Sequence, residues 1–251
     1  MGIRHPRTCL PDSEGSQKTR NEVSQHMHNP SSRRDERLTR GAIFSGGLEI
    51  PLIKTPAWLP NNPVFTPFDQ RERRVAADTV VCFNIEDEKF ADLIEQPEEY
   101  VEDLSRFGAV TSPDCSLRRN APLARQVENL YLNRRTGSYL QRHGVNVIPQ
   151  VRWGSSSTFT TEYFPERIAF LGVEPRSPIA VGTYGCFKSI EDRRIFLAGF
   201  DAMMEALDPS IVFVYGAMPD RYFAHDLFAT RDRLVHCTDW VALQHGREDG
   251  R

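Results

Sequence analysis

The residues able to do chemistry fall in a few short stretches. In Ser112-Pro113-Asp114-Cys115-Ser116, Asp114 closes a short apolar run. It is a candidate general base, or an anion that orients a substrate hydroxyl; as a plain loop residue it would cap neighbouring amides instead. In Arg152-Trp153-Gly154 a guanidinium stands beside an aromatic face, a pairing suited to phosphate, carboxylate or a base. The alternative puts Trp153 in the core and Arg152 on Asp114. Thr183-x-Gly185-Cys186-x-Lys188 sets a hydroxyl, a thiol and an ammonium in a glycine loop just before a helix start, where free amides favour an anion. Cys186 is a candidate thiolate nucleophile, its pKa lowered by the helix end and Lys188; the plainer reading is a small buried hydrophobe. Asn84 and Tyr215 end two further apolar runs and are candidate ligand-orienting groups, and His236, with Asp239 nearby, is a candidate acid/base group.

No cofactor is specified, since the Walker A spacing G-x-x-x-x-G-K-[ST] is absent. Cys82, Cys115, Cys186 and Cys237 lie in or just after strand-like runs, and a barrel would be needed to gather them around a metal. Their spacing carries no ligand signature, so no metal-binding residues are assigned.

Positioning these groups requires strands that stop on polar side chains. Six apolar runs qualify: Thr79 to Asn84, Ala109 to Thr111, Val145 to Val151, Ile179 to Thr183, Ile211 to Tyr215 and Leu234 to Cys237. Helical patterns separate them. The acids Glu86, Asp87 and Glu88 open one, and a second piece runs from about Pro97 to Phe107 with Gly108 as its stop. The longest has Asn120 as N-cap, Pro122 in its first turn, Leu123, Val127, Leu130 and Arg134 at helical spacing, and Gly144 after it. Glu162 to Phe170 suits a short helix, and the Ser/Thr-rich stretch from Gly154 to Thr158 suits a mobile cover beside Arg152. Ser189 is an N-cap with Asp192 three residues on, ahead of a buried stripe from Ile195 to Ala206 and a stop at Pro209.

Strands alternating with helices, and no N-G or D-G hairpin turns between them, predict an α/β domain with a largely parallel sheet. A (β/α) barrel-like closure is favoured because all six strands end in polar or reactive side chains; it would be short of eight strands or completed by residues 41–68. The alternative is an open doubly wound sheet. Residues 41–68 are apolar but broken by proline, and read as an extended segment anchored by Trp58, Phe65 and Phe68.

The chain has 251 residues, 39% of them apolar, enough for a single α/β domain over 41–245 but low for a chain ordered throughout. Residues 1–40 lack apolar periodicity and hold eight Lys/Arg against five acids, giving +3 and leaving −6 on the remainder. They are expected to be a disordered basic tail. No run of about twenty apolar residues and no secretory leader is visible. Five widely spaced cysteines without a C-x-x-C pair suggest free thiols, so a cytoplasmic protein without membrane partners is expected.

SPDCS (112–116), PLARQVENLYLNRRTGSYLQRHGVNVIPQVRWG (122–154), VGTYGCFKSIEDRRIFLAGF (181–200) and VYGAMPD (214–220) resemble the blocks of an uncharacterised bacterial and phage family, domain of unknown function number 4417. The likeness covers roughly residues 60–240 and implies a gene carried by phages or mobile elements; it assigns no ligand and no catalytic residue. The residues themselves favour an enzyme-like domain that binds a small anionic or nucleotide-like ligand at its strand ends, with hydrolase the leading reaction class. The competing reading is a non-catalytic accessory protein that touches nucleic acid through the basic tail. The acidic balance of residues 41–251 counts against it.

Overall fold

Strand pairing is parallel throughout the main sheet system of the computed structural model, which describes residues 30–219, 222 and 231–240. The chain divides into two units, Met1–Arg40 and Gly41–Arg251. In the first, Pro30–Thr39 forms an α-helix, α1, where a disordered tail was expected. Proline suits a first helical turn, and Arg, Glu and Leu at the positions that follow are good helix formers. Residues 1–29, with Cys9, lie outside the described residues, as do 241–251.

The second unit opens with a small antiparallel pair, β1 (Phe44–Ser45) and β2 (Ile50–Pro51). A four-stranded parallel sheet follows in sequential order: β3 (Val64–Pro67), β4 (Thr79–Cys82), β5 (Ala109–Thr111) and β6 (Val147–Ile148). A three-stranded parallel sheet, again sequential, holds β7 (Ile179–Gly182), β8 (Val212–Tyr215) and β9 (Leu234–Cys237). The two are stitched by a parallel bridge between Gln150 and Ala180. Pro149 has no N–H and cuts β6 short, but its carbonyl accepts from Ala180 N at 2.9 Å and Val151 N donates to Ala180 O at 2.8 Å. Among the described residues no ladder joins β9 to β3 to close a barrel.

Between β4 and β5 lie the short helices α2 (Ala91–Glu95) and α3 (Val101–Leu104), and between β5 and β6 the 20-residue α4 (Leu123–Arg142). The single turn α5 (Ser156–Phe159) precedes β7, and α6 (Ile190–Leu207) links β7 to β8. Ser189 caps α6 by accepting from Asp192 N at 3.0 Å, and Asp208 ends it in the left-handed region just before Pro209. Three details depart from the sequence reading. Asn120 is not the cap of α4, since Pro122 holds that position without a side-chain bond. Glu162 to Phe170 yields only a 3-10 turn at Ile168–Phe170. Trp58, an expected anchor, is 48% exposed, while Phe65 and Phe68 are buried; Phe65 sits on β3, a strand hidden from the sequence reading by its flanking prolines.

Alternation along the strands sorts the core into faces. Val80, Cys82, Ala109, Ile148, Ala180, Phe213, Tyr215 and Cys237 form one apolar cluster with Phe65. Their sequence neighbours face the helices: Val81, Phe83, Val110 and Val147 pack with Leu93, Leu104 and Leu140, and Val181, Val212 and Val214 pack with Phe196, Phe200 and Met203 of α6.

Candidate functional site

The face that carries Cys82, Ala109, Ile148 and Ala180 continues, two residues on, to Asn84, Thr111, Gln150 and Gly182. The lower part of this face is therefore apolar and its upper edge polar. Arg152 follows Gln150 on the same alternation, and Asp114 arrives on the loop after β5.

Asp114 is only 4% exposed. Arg152 Nη1 donates to its Oδ2 at 2.7 Å, and Asn84 Nδ2 donates to the same oxygen at 3.0 Å. Oδ1 has no hydrogen-bond partner. Burial pushes the Asp114 carboxyl above the ordinary carboxylate range, with Arg152 pulling the other way. The Arg152 side chain keeps 34% exposure, and Asp114 raises its already high pKa. An acid and a guanidinium thus meet as a partly shielded pair whose arginine still sees solvent.

Three clefts adjoin one another here. One of about 380 Å³ is lined by Asn84, Asp114, Ser116, Arg118 and Arg152 together with Glu86 to Lys89, and one of about 200 Å³ by Arg152, Trp153, Gly182 and Cys186. The largest, about 690 Å³, is lined by Asn84, Thr183, Lys188, Tyr215, Asp239 and Trp240 among others. Tyr184 lines all three and is 82% exposed, with Lys188 Nζ 5.0 Å from its ring centroid. Asp87 accepts from Ser116 N and Oγ, at 3.0 and 2.9 Å, and so ties the loop after β5 to the turn after β4.

The remaining sequence candidates divide. Thr183 donates its hydroxyl to Tyr215 O at 3.2 Å, and Tyr215 OH accepts from Trp240 N at 3.0 Å, so both line the large cleft with one bond already committed. Burial raises the Tyr215 hydroxyl well above its usual range. Trp153 points to the other side of the chain from Arg152: it is 9% exposed and packs on Phe196 and Phe170 at 5.3 and 6.5 Å. Its ring belongs to the core cluster and also borders the 200 Å³ cleft. Burial pushes the Cys186 thiol up to about 11, opposite to the direction that the nucleophile reading needs, and the Lys188 ammonium sits over Tyr184. His236 is exposed and shares a 2.8 Å bond with Gly216 O.

The four described cysteines are free, and they do not converge: Cys82 and Cys237 belong to the inner cluster, Cys115 packs beside Val147 and Leu140, and Cys186 beside α6. Among the described residues no group of three His, Cys, Asp or Glu is placed to hold a metal ion. The polar turn 155–158 is a built element, with Ser155 N donating to Gln126 Oε1 at 3.0 Å and Thr158 buried. Sequence reasoning missed Gln150 and Gly182. The signal was present in the alternation Ile148, Gln150, Arg152, which assigns Gln150 to the inward face.

A family described as Domain of unknown function (DUF4417) matches residues 42–233. Among curated relatives, the Gene 1 protein of Mycobacterium phage D29 is 27% identical over 175 residues, 69% of this chain and 62% of that protein. The Gene 1 protein of Mycobacterium phage L5 is 29% identical over 182 residues, 69% of this chain and 73% of that protein. The chain thus spans less than two thirds of the D29 protein. No solved structure matches. Among the described residues no helix is long and apolar enough to cross a membrane.

Proposed function

The chain belongs to the family described as Domain of unknown function (DUF4417), and from its own geometry we propose that it is an enzyme-like α/β domain binding a small anionic ligand at the C-terminal ends of its strands. The observation that carries this reading is Asp114: a carboxylate 4% exposed, with one oxygen held by Arg152 and Asn84 and the other without a partner, beside an arginine that keeps contact with solvent. Buried polar groups are costly unless satisfied, and such exceptions concentrate where a ligand or chemistry satisfies them. In this proposal Arg152 holds the ligand's anionic group, with Lys188 as a second cation, while Asn84, Thr183 and Tyr215 orient the rest. Asp114 Oδ1 takes a proton from a water whose oxygen attacks the ligand's acyl or phosphoryl centre, and gives it to the leaving group as the bond between that group and the centre breaks, which is hydrolase-type chemistry.

The same proposal includes a barrel-like wall of seven strands, short of the usual eight. Support comes from the Phe65 ring on β3, whose centroid lies 5.6 Å from that of Phe213 and 6.0 Å from that of Tyr215 on β8, although β3 and β8 are far apart in strand order. Free thiols at Cys82, Cys115, Cys186 and Cys237 support a reducing, cytoplasmic setting. The test is a thermal-shift screen of the full chain against inorganic phosphate, small carboxylates and nucleotides, repeated with Asp114→Asn and Arg152→Gln. Both variants are expected to unfold cooperatively and to lose the ligand-induced shift. Retention of that shift in both variants would place the site elsewhere.

A second reading keeps the accessory role with nucleic acid: α1 carries Arg33, Arg34 and Arg37, and the relatives come from phages. It predicts DNA binding that weakens steeply with salt and disappears when residues 1–40 are removed.

A further inference from the structure

Below the Asp114–Arg152 pair lies a layer of polar side chains that no motif marks. Gln150 is 1% exposed, and neither its Oε1 nor its Nε2 has a hydrogen-bond partner. Asn84 Oδ1 and Thr111 Oγ1, on the same inward face, are unpartnered as well. Gly182 makes room for them: a Cβ there would stand 2.2 Å from Asn84 Nδ2 and 3.6 Å from Gln150 Nε2. A side chain at 182 would therefore displace the Asn84 amide and touch that of Gln150, at a point that borders two of the clefts.

A layer like this is expensive. Each buried polar atom without a partner destabilises the fold, and a near-isosteric apolar residue would avoid that loss. Two carboxamides side by side present alternating donors and acceptors, the pattern that reads the edge of a planar heterocycle. Tyr184, 82% exposed at the rim, offers a ring face for such a heterocycle, and Arg152 a cation for a group attached to it. All four unpartnered atoms are shielded, so the proposal requires the side chains above the layer to move aside when the ligand binds.

We infer that Asn84 and Gln150 are specificity-determining residues that read the hydrogen-bonding edge of a nucleobase-type ring, and that the ligand is a nucleotide held by its phosphate at Arg152. This rests on the anionic-ligand reading above and names its ligand class. The experiment compares nucleoside monophosphates with ribose 5-phosphate by calorimetry on the full chain, in wild type, Gln150→Met and Arg152→Gln.

Wild type is expected to bind at least one monophosphate ten-fold or more tighter than ribose 5-phosphate. Gln150→Met should reduce that preference to within about three-fold while leaving ribose 5-phosphate binding unchanged, and its unfolding midpoint should rise. Arg152→Gln should weaken both ligands together. Equal binding of ribose 5-phosphate and every monophosphate by wild type would overturn the inference yet leave the anion site standing. So would a Gln150→Met protein that keeps the wild-type preference. If neither ligand class binds wild type, both the inference and the anion reading fail.

Discussion

Asp114 and Arg152 are held in a balance that pH should tip. Burial sets the Asp114 carboxyl above its ordinary range even with Arg152 beside it, so the folded chain keeps that proton to higher pH than the unfolded chain does. Its contribution to stability is accordingly full below the unfolded pKa of about 4 and is lost as pH rises through the folded value. Arg152→Gln removes the largest opposing influence and extends that window upward. Near neutral pH it should cost about 2–3 kcal/mol, less than a fully buried pair because Arg152 keeps water contact, and the loss should shrink as pH falls. Asp114→Asn should flatten the slope. Denaturant unfolding across acid to mildly alkaline pH checks this, and a loss in Arg152→Gln that does not change with pH would count against it. Cys186 makes a separate prediction. With its thiol pushed up to about 11, iodoacetamide at about pH 8 should alkylate it roughly two orders of magnitude more slowly than it does an unfolded-chain thiol. Fast labelling of Cys186 would restore it as a nucleophile.

At the scale of elements, α6 meets the strand end closely at Gly199. A Cβ on Gly199 would lie 2.2 Å from Trp153 Nε1, and the indole is itself wedged on Phe196 and Phe170. Alanine normally favours a helix over glycine by about 1 kcal/mol, but here the overlap should outweigh that gain. Gly199→Ala is expected to lower the unfolding midpoint, and a rise would show that the helix can slide away from the strand. α6 was legible in the sequence because its cap, stripe and stop are local: Ser189, Ile195 to Ala206, Pro209. The strands β4, β5, β7 and β8 were legible for a similar reason, as unbroken apolar runs. The packing of α4 was not. Residues 133–140 are all buried, six of them polar or glycine, and Arg134 donates to the carbonyls of Gln150, Ala169 and Leu171. Burial pulls the Arg134 guanidinium down to about 9. Besides Asn133 Oδ1 next to it, its partners are backbone oxygens 16 to 37 residues away, and no periodicity announces them. The site divides along the same line. Asp114 and Arg152 could be paired from strand order, whereas the Gln150 amide becomes conspicuous only once its lack of partners is seen.

The whole molecule poses one question, whether the seven strands curve around a shared interior or spread as an open sheet. In an open sheet β3 would be an edge, with β8 five places away in the order and about 24 Å distant at the usual strand spacing. Phe65 instead lies within ring contact of Phe213 and Tyr215, and one cluster draws residues from all seven strands. On the proposed barrel-like reading the strand ends would face a common mouth, where Asn84, Asp114, Arg152, Thr183 and Tyr215 would address one ligand. A double-mutant cycle tests the curvature in solution. Phe65→Ala and Phe213→Ala should each cost about 3–5 kcal/mol as large-to-small changes in a packed core. If the rings touch, the double mutant should cost less than the two losses combined, by roughly 0.5–1.5 kcal/mol, the coupling expected of an aromatic pair. Simple additivity would place the two phenylalanines out of contact, and the shared mouth would then shrink to the ends of β4 through β7, where the Asp114–Arg152 pair still stands but Tyr215 no longer contributes.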